Sequence, residues 1–352
     1  MCDKSYDPLV SVIILNWNSL KYIHKCIESL SRQSYKNIEV IFVDNDSSDR
    51  SLLECKEKYN NFKYIENKEN VGFAAGMNTG LSSASGEFCL LLNTDVYLDE
   101  NYIAECIKLL LENPEVSCTA GYEYKWIFPE LSENKVGSGV FGITLHLRVV
   151  PSYKIRKYVF GVSGSFPIFR TSTIKKIKEL RGFFFDELFE TGWEDTELRF
   201  LFSFLDEKTM LCKSTKAWHV GSASDNCNAG MFQKNLSYQK RIFRNRLYVI
   251  NKYIKGYFPI WYIYIKIINK LIDLYIFYFH NNSFQSLQDA KKEYEYNNEA
   301  IKDQSELLKN KINTKVKTLS YIVGFTSTWL RFPEIQPLWN IQKYVKSKLI
   351  NP

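Results

Sequence analysis

The sequence predicts an α/β protein: a mostly parallel sheet flanked by helices, with a helical C-terminal region behind it. Three observations carry this. VSVIILN (10–16), IEVIFVD (38–44) and EFCLLLN (87–93) are continuous apolar runs without alternation, the pattern of strands covered on both faces. Between them, apolar residues recur at helical spacing, as with Leu20, Ile23, Ile27 and Leu30 in SLKYIHKCIESLSRQ (19–33). After about residue 230 strand patterns stop, and the remainder reads as helix.

In chain order, the first strand and helix lead to the second strand at 38–44. SSDRSLLECKEKY (47–59) reads as a helix opened by serine caps. FKYIEN (62–67) is a short strand, FAAGMNTGLSSA (73–84) a helix of small residues, and NYIAECIKLLLEN (101–113) an amphipathic helix after the fourth strand. Repeated β–α units of this length imply a parallel sheet whose ligands sit beyond the carboxyl ends of the strands. Residues 123–160, with Gly137, Gly139, Gly142 and many aromatics, read as loops with a short hairpin. FPIF (166–169) is a strand, and a helix begins at Ser172. GWEDTELRFLFSFL (192–205) is a helix with Leu198, Leu201, Phe202 and Leu205 in one stripe, and MLCKS (210–214) a further strand.

With 352 residues, 45% hydrophobic and 24% charged, the composition is that of a folded chain long enough for one large domain and an appendage. The eight cysteines are scattered and form no CxxC pair, which suits buried thiols in a reducing compartment. The start, MCDKSYDPL, lacks an apolar core, so no signal peptide and a cytoplasmic location are expected. The net charge of +7 is uneven: residues 231–352 hold 20 Lys/Arg against 8 Asp/Glu. Such a tail could meet nucleic acid, anionic lipid or a phosphate-bearing substrate.

Each strand of the first half ends in polar residues: Asn16, Trp17 and Asn18; Asp44, Asn45, Asp46 and Ser47; Asn93, Thr94 and Asp95. NKENVGFAAGMNTG adds Asn70, Gly72, Gly76 and Asn78 around a helix start, where free N–H groups can approach a phosphate or sugar. Singly, Asp44 and Asp46 read as turn residues, Gly72 as a turn glycine and Asp95 as a helix cap. Collected at one sheet edge, they are what a bound nucleotide diphosphate would need. Farther on, Glu194, Asp195 and Glu197 crowd one helical turn behind Trp193.

These stretches in order, with LLLNTDV, FDELFETGWEDTELRF and WHVGSAS, resemble a family 2 glycosyltransferase of the GT-A type, nearest to its rhamnosyltransferase-like branch. The likeness covers about residues 9–225. It implies a GT-A catalytic domain over residues 1–228 and a basic, aromatic-rich helical region over 229–352. It also implies a nucleotide-sugar donor carrying dTDP or UDP, a divalent cation (Mg2+ or Mn2+) and inversion at the anomeric centre. Position by position, it puts Asn16, Asn18, Asp44 and Asn45 around base and ribose, and Asn70, Gly72, Phe73 and Asn78 in the loop about ribose and phosphate. Asn93 and Thr94 lie in the NTD turn, whose Asp95 matches the family's metal-binding aspartate, with His219 near the metal. Asp195 matches the catalytic base and Glu194 its partner. Asn93 replaces the first acid of the usual DxD, so the site holds one charge fewer. No QxxRW motif follows the acidic helix, which argues for one sugar added per encounter.

The chemistry suits the residue types. Hard oxygen ligands such as Asp95 suit Mg2+ or Mn2+, and a carboxylate at a helix start is favoured as the anion that takes a hydroxyl proton. Glu197 and Arg199 fall at the edges of the stripe, Glu197 toward solvent or a basic neighbour. Trp193 has two readings, stacking on an acceptor sugar or filling the core. His219 likewise reads as ligand or as structural histidine.

In the tail, YQKRIFRNRLYVINKY (238–253) interleaves cations with aromatics. FPIWYIYIKIINKLIDLYIFYF (258–279) is apolar but carries Lys266, Lys270 and Asp273 at helical spacing. That excludes a spanning helix and leaves an interfacial helix or one packed on the catalytic domain. A lipid-linked glycan acceptor and a peripheral place on the inner face of the plasma membrane suit the first reading. Nucleic acid is not an expected partner, because it would leave Asp44, Asp95 and Asp195 idle. Residues 281–312 read as an exposed polar helix.

Overall fold

The structure, a computed structural model, describes residues 6–136, 139–144, 147, 149–151, 156–221 and 231–311. Residues 222–224 of the WHVGSAS motif, Gly137, Cys2, Cys227 and residues 312–352 of the tail lie outside them.

The first half follows the alternation of its sequence. Strands β1 (Val10–Asn16), β2 (Ile38–Asp44), β3 (Lys63–Glu66) and β4 (Phe88–Asn93) pair in parallel in the order β3-β2-β1-β4. Helices α1 (Leu20–Ser31), α2 (Ser51–Lys58) and α3 (Gly72–Ser82) connect them. α1 turns Ile23, Cys26, Ile27 and Leu30 into the core, while nearly every residue of β1, β2 and β4 is buried, as continuous apolar runs require. α2 starts at Ser51 behind Arg50, which gives no side-chain cap. The serines expected as caps instead close a turn: Ser47 N donates to Asp44 Oδ2 at 2.9 Å and Ser48 N to Asn18 Oδ1 at 2.8 Å.

Beyond β4 the pairing becomes mixed. The sheet continues through β10 (Ile168–Arg170), β6 (Val116–Ile127), β11 (Lys208–His219) and β5 (Val96–Leu98), with β7 (Glu130–Lys135) off β6. β10 runs antiparallel to both neighbours, β11 parallel to β6. Here the sequence reading falls short. The hairpin within 123–160 is β6–β7, but its first strand begins earlier, at Val116, and MLCKS lies inside a 12-residue strand. β6 is buried at its start and half-exposed toward its end, and in β11 exposed residues interrupt the buried ones, so neither shows one period throughout. A two-stranded ribbon, β8 (Phe141–Ile143) with β9 (Val149–Pro151), lies apart from the main sheet.

Helices α4 (Tyr102–Glu112), α5 (Thr171–Arg181) and α6 (Glu194–Leu205) complete the α/β portion. The described part of the tail is helical: α7 (Leu236–Val249) runs into a π-helical turn (Ile250–Ile254), then come α8 (Pro259–Phe279), α9 (Asn281–Tyr296) and α10 (Asn298–Lys311). Residues 281–311 are thus two helices, each with a buried side (Leu287 and Ala290; Ile301 and Leu308), rather than one exposed helix. α8 has one buried side and one exposed apolar side. Trp261, Ile265, Ile268 and Ile276 are buried, while Ile260, Ile263, Ile267, Leu271, Leu274 and Tyr278 are exposed. Asp273 turns to Lys291 on α9 at 2.6 Å, leaving Lys266 and Lys270 on the outer side. Among the described residues no helix is long and apolar enough to cross a membrane. Six cysteines, 26, 55, 89, 106, 118 and 212, are buried free thiols.

Candidate active site

The carboxyl ends of β1, β2 and β4 open on a cavity of about 1190 Å3. Its walls include Trp17 and Asn18 after β1, Asn45 after β2, Asn70 to Phe73 entering α3, and Asn93 to Asp95 after β4. His219, at the end of β11, and Asn235, Ser237, Tyr238 and Arg241 from the start of α7 close the far side.

Asn16 and Asp44 lie beneath this wall rather than in it. Both are buried, and Asn16 Nδ2 donates to Asp44 Oδ1 at 2.6 Å and to Ser51 Oγ at 2.8 Å. With Ser47 N on its other oxygen, the Asp44 carboxylate is engaged internally and fixes the turn that presents Asn18 and Asn45. Asn18 has a left-handed φ of 49° and accepts from Ser48 N and Asp49 N. Asn45 donates to Gly72 O at 3.0 Å and accepts from Asn67.

The glycine loop needs its glycine. Gly72 has φ +81°, and a Cβ there would lie 3.1 Å from the backbone of Glu190. The loop is held by Gly72 N donating to Asn70 Oδ1 (2.9 Å), Phe73 N to Thr191 Oγ1 (3.1 Å) and Ala74 N to Glu190 O (2.9 Å). Asn78, expected beside it, instead bonds Phe185 and Glu187 on the side away from the cavity. One helical turn beyond Ala74, its side chain faces the neighbouring loop, so it fastens α3 rather than lining the site.

At the cavity floor Asp95 meets His219, whose Nε2 lies 3.3 Å from Asp95 Oδ2 while Nδ1 lies 2.8 Å from Glu123 Oε1. Burial alone would lower the imidazole, but the two carboxylates outweigh it and raise its pKa to about 10. Conversely, burial would raise Asp95 and Glu123, and the imidazolium holds both below the usual carboxylate range. The donor set fits a divalent cation on one condition. Glu123 orients His219 by its second nitrogen, as outer-shell carboxylates do for ligating histidines, and Asp95 offers a hard oxygen next to Nε2. The cation must then replace the proton on Nε2. Among the described residues no three or more His, Cys, Asp or Glu are arranged to hold a metal. The remaining coordination would fall to substrate phosphates and water, the usual arrangement for Mg2+.

α6 carries the acids. It begins behind a run of left-handed residues, Glu190 (φ 53°), Gly192 (91°) and Trp193 (74°), of the kind that clusters at functional sites. That turn lays Trp193 against the core, and it lines neither this cavity nor the recess described next. Trp17, 48% exposed, lines the large cavity, as do Tyr22, Phe73 and Tyr238. Asp195 lines a smaller recess of about 40 Å3 that shares Phe73 with the large cavity, and its Oδ2 lies 2.8 Å from Arg199. Gly164 leaves room for it: a Cβ there would lie 3.1 Å from Asp195 Oδ2.

Glu194 departs from the expected helix-start anion. Its Oε2 is shut from solvent with no hydrogen-bond partner, and burial, with Asp195 adding repulsion, raises its pKa to about 8. Glu197 departs further. It is fully buried, accepting from Arg181 (2.6 Å), Lys252 (2.7 Å) and the Tyr253 hydroxyl. Burial would raise it, but the two cations hold it down at about 2. A basic neighbour was expected; the absence of solvent was not, because Lys252 lies 55 residues away in sequence.

Besides Trp17, the sequence reading missed Glu123, Glu190, Thr191 and Arg241. Trp17 stood between two nominated asparagines. Glu123 has no signal, since residues 123–160 show no strand period in which to place it, and Arg241 reads as one tail charge among many.

A sheet whose parallel strands end on one ligand-sized cavity, floored by an Asn-Thr-Asp turn, defines a protein of the GT-A glycosyltransferase fold. The same fold is found in a mannosyltransferase from Pyrobaculum calidifontis solved with GDP-Man and Mn2+ (16% identity, 85% of this chain and 77% of that one, TM-score 0.51). It is also found in GalNAc-T7 solved with UDP, GalNAc and Mn2+ (14% identity, 71% and 48%, TM-score 0.55). Residues 11–177 match the family model Glycosyl transferase family 2. Among curated relatives, glycosyltransferase GlyA of Streptococcus pneumoniae is 35% identical over 109 residues (30% of this chain, 16% of the relative). Glycosyltransferase GlyG of the same organism is 30% identical over 121 residues (34% and 40%). The chain spans well under half the length of the curated relatives it matches.

Proposed function

We propose that this chain is an inverting, non-processive glycosyltransferase that moves one sugar from a nucleoside-diphosphate donor to a hydroxyl of a bacterial surface-glycan precursor. The observation that carries the reading is the cavity at the strand ends with Asp95 on its floor and the Gly72 loop in its wall. Trp17, Asn18, Asn45 and Asn70 offer a stacking face and amide groups to base and ribose; Asn16 and Asp44 hold that wall from behind. Asp95 and His219 would hold Mg2+ or Mn2+, which when bound neutralises charge on the departing diphosphate. Both fold relatives were solved with Mn2+, which accords with this.

Asp195, in the recess adjoining the cavity, takes the proton from the acceptor hydroxyl. Glu194, protonated at neutral pH, orients the acceptor end of α6 as a donor. The sugar is rhamnose or another hexose on dTDP or UDP, the nearest alternative being a UDP-hexose or UDP-N-acetylhexosamine. The exposed apolar stripe of α8, with Lys266 and Lys270 along one edge, is the form of an interfacial helix, and suits a lipid-linked acceptor met at an anionic membrane from the cytoplasmic side.

Calorimetric titration with UDP, dTDP and GDP, with and without Mn2+, tests the reading. At least one should bind, more tightly with Mn2+, and Asp95→Asn should remove the Mn2+ dependence. No binding of any of the three, with or without Mn2+, would refute it.

A further inference from the structure

α7 carries four cations, and three of them are engaged. Lys240 pairs with Glu293 at 3.0 Å, Arg244 with Glu190 at 2.8 Å and with Glu293, and Arg246 bonds Asn269. Arg241 differs. It lines the large cavity, contacts the Ser237 hydroxyl at 3.2 Å, and meets no carboxylate among the described residues. Its Nε is closed to solvent and has no hydrogen-bond partner. A guanidinium donor desolvated without an acceptor costs free energy that an incoming anion recovers.

The rest of the cavity makes an anion's need for Arg241 plain. Its other charged wall residues are Glu69, Asp95, Glu190 and His219, and His219 already lies between two carboxylates. The first turn of α7 also faces the cavity through Asn235, Ser237 and Tyr238, adding the partial positive charge of a helix N-terminus. The placement is rigid. Arg244 donates to Leu188 O at 3.1 Å, and Asn245 donates to Phe189 O at 2.7 Å and Gly192 O at 2.5 Å. The absence of a Cβ at Gly192 lets Ile242 approach; one there would lie 2.7 Å from Ile242 Cδ1. Arg241 is therefore held by a helix locked to the loop that leads into Glu194 and Asp195.

We infer that Arg241 binds the diphosphate of the nucleotide donor, so that the C-terminal helices complete the donor site. This deepens the reading above and rests on it. The planar fork of arginine matches two phosphate oxygens in a way lysine's point charge does not. The test is the affinity of Arg241→Gln and Arg241→Lys for UDP, dTDP and GDP by calorimetry, beside uridine, thymidine and guanosine by saturation-transfer NMR. For whichever diphosphate binds the native protein, Arg241→Gln should weaken it by roughly 10-fold to 100-fold. Arg241→Lys should recover part of this. Nucleoside binding and the thermal midpoint should stay as in the native protein. Equal diphosphate affinity in Arg241→Gln, or diphosphate and nucleoside falling together, would overturn the assignment while leaving the donor reading intact. If the native protein binds no diphosphate, the donor reading fails and the assignment with it.

Discussion

Glu197 on α6 and Lys252 on the π-helical turn after α7 form an ion pair 2.7 Å long, with neither side chain reaching solvent. Arg181 joins the carboxylate from α5, and Lys252 also reaches Asp186 at 2.9 Å. The helix bearing Glu194 and Asp195 is thus tied through a buried charge cluster to the C-terminal region.

Glu197→Gln is therefore expected to be the most damaging of the α6 acid substitutions for stability. It leaves Arg181 and Lys252 buried with less compensating charge, a loss of about 3–5 kcal/mol. Urea unfolding of Glu197→Gln beside Asp195→Asn checks this; comparable midpoints in the two would contradict the cluster's role.

The raised Glu194 gives a pH signature. A carboxyl with a folded-state pKa near 8 against 4.5 unfolded favours the fold when protonated, so its contribution is present below about pH 4.5 and is lost as pH rises through 8. Glu194→Gln cannot titrate. Its thermal midpoint relative to the native protein should rise steadily from pH 5 to pH 8.5, and a flat difference across that range would show that Glu194 ionises normally.

Asp195→Asn keeps the shape of α6 and removes the proton acceptor. Transfer is expected to fall by something on the order of 100-fold to 10,000-fold, with donor affinity unchanged, since Asp195 lines the smaller recess. Single-turnover rates and nucleotide titration on the same preparation decide it. Near-native turnover in a folded, donor-binding variant would remove Asp195 from the base's role.

Ile263→Asp with Ile267→Asp is expected to abolish binding to anionic vesicles, because both residues are more than half exposed on α8 and neither is in the buried stripe. Co-sedimentation with anionic and neutral vesicles, with Lys266→Glu/Lys270→Glu as a charge control, reads this out. Point substitutions are preferable to a truncation near residue 230, which would remove Lys252 from buried Glu197 and Arg244 from Glu190. Undiminished binding by both variants would exclude α8 as the contact.

The sequence by itself determined the first four strands, α1, α3 and α4, and the collection of Asn18, Asn45, Asn70, Gly72 and Asp95 at one sheet edge. It could do so because fully buried parallel strands show their burial in composition, and crossovers of helical length leave one place for the strand ends to meet. It placed a short hairpin within 123–160 but not the long β6 strand that enters it, whose burial changes along its length, and so it missed Glu123 behind His219. Nor could it show that Asn16, Asp44 and Asn78 bond inward, that Trp193 packs away from the cavity, or that Glu197 is a buried anion. Those facts depend on partners 28 to 107 residues distant, Asn16 with Asp44 and Asn78 with Phe185, and on a left-handed turn at Trp193. Periodicity records which face of an element is apolar. Which charged group meets which is decided only when the elements pack.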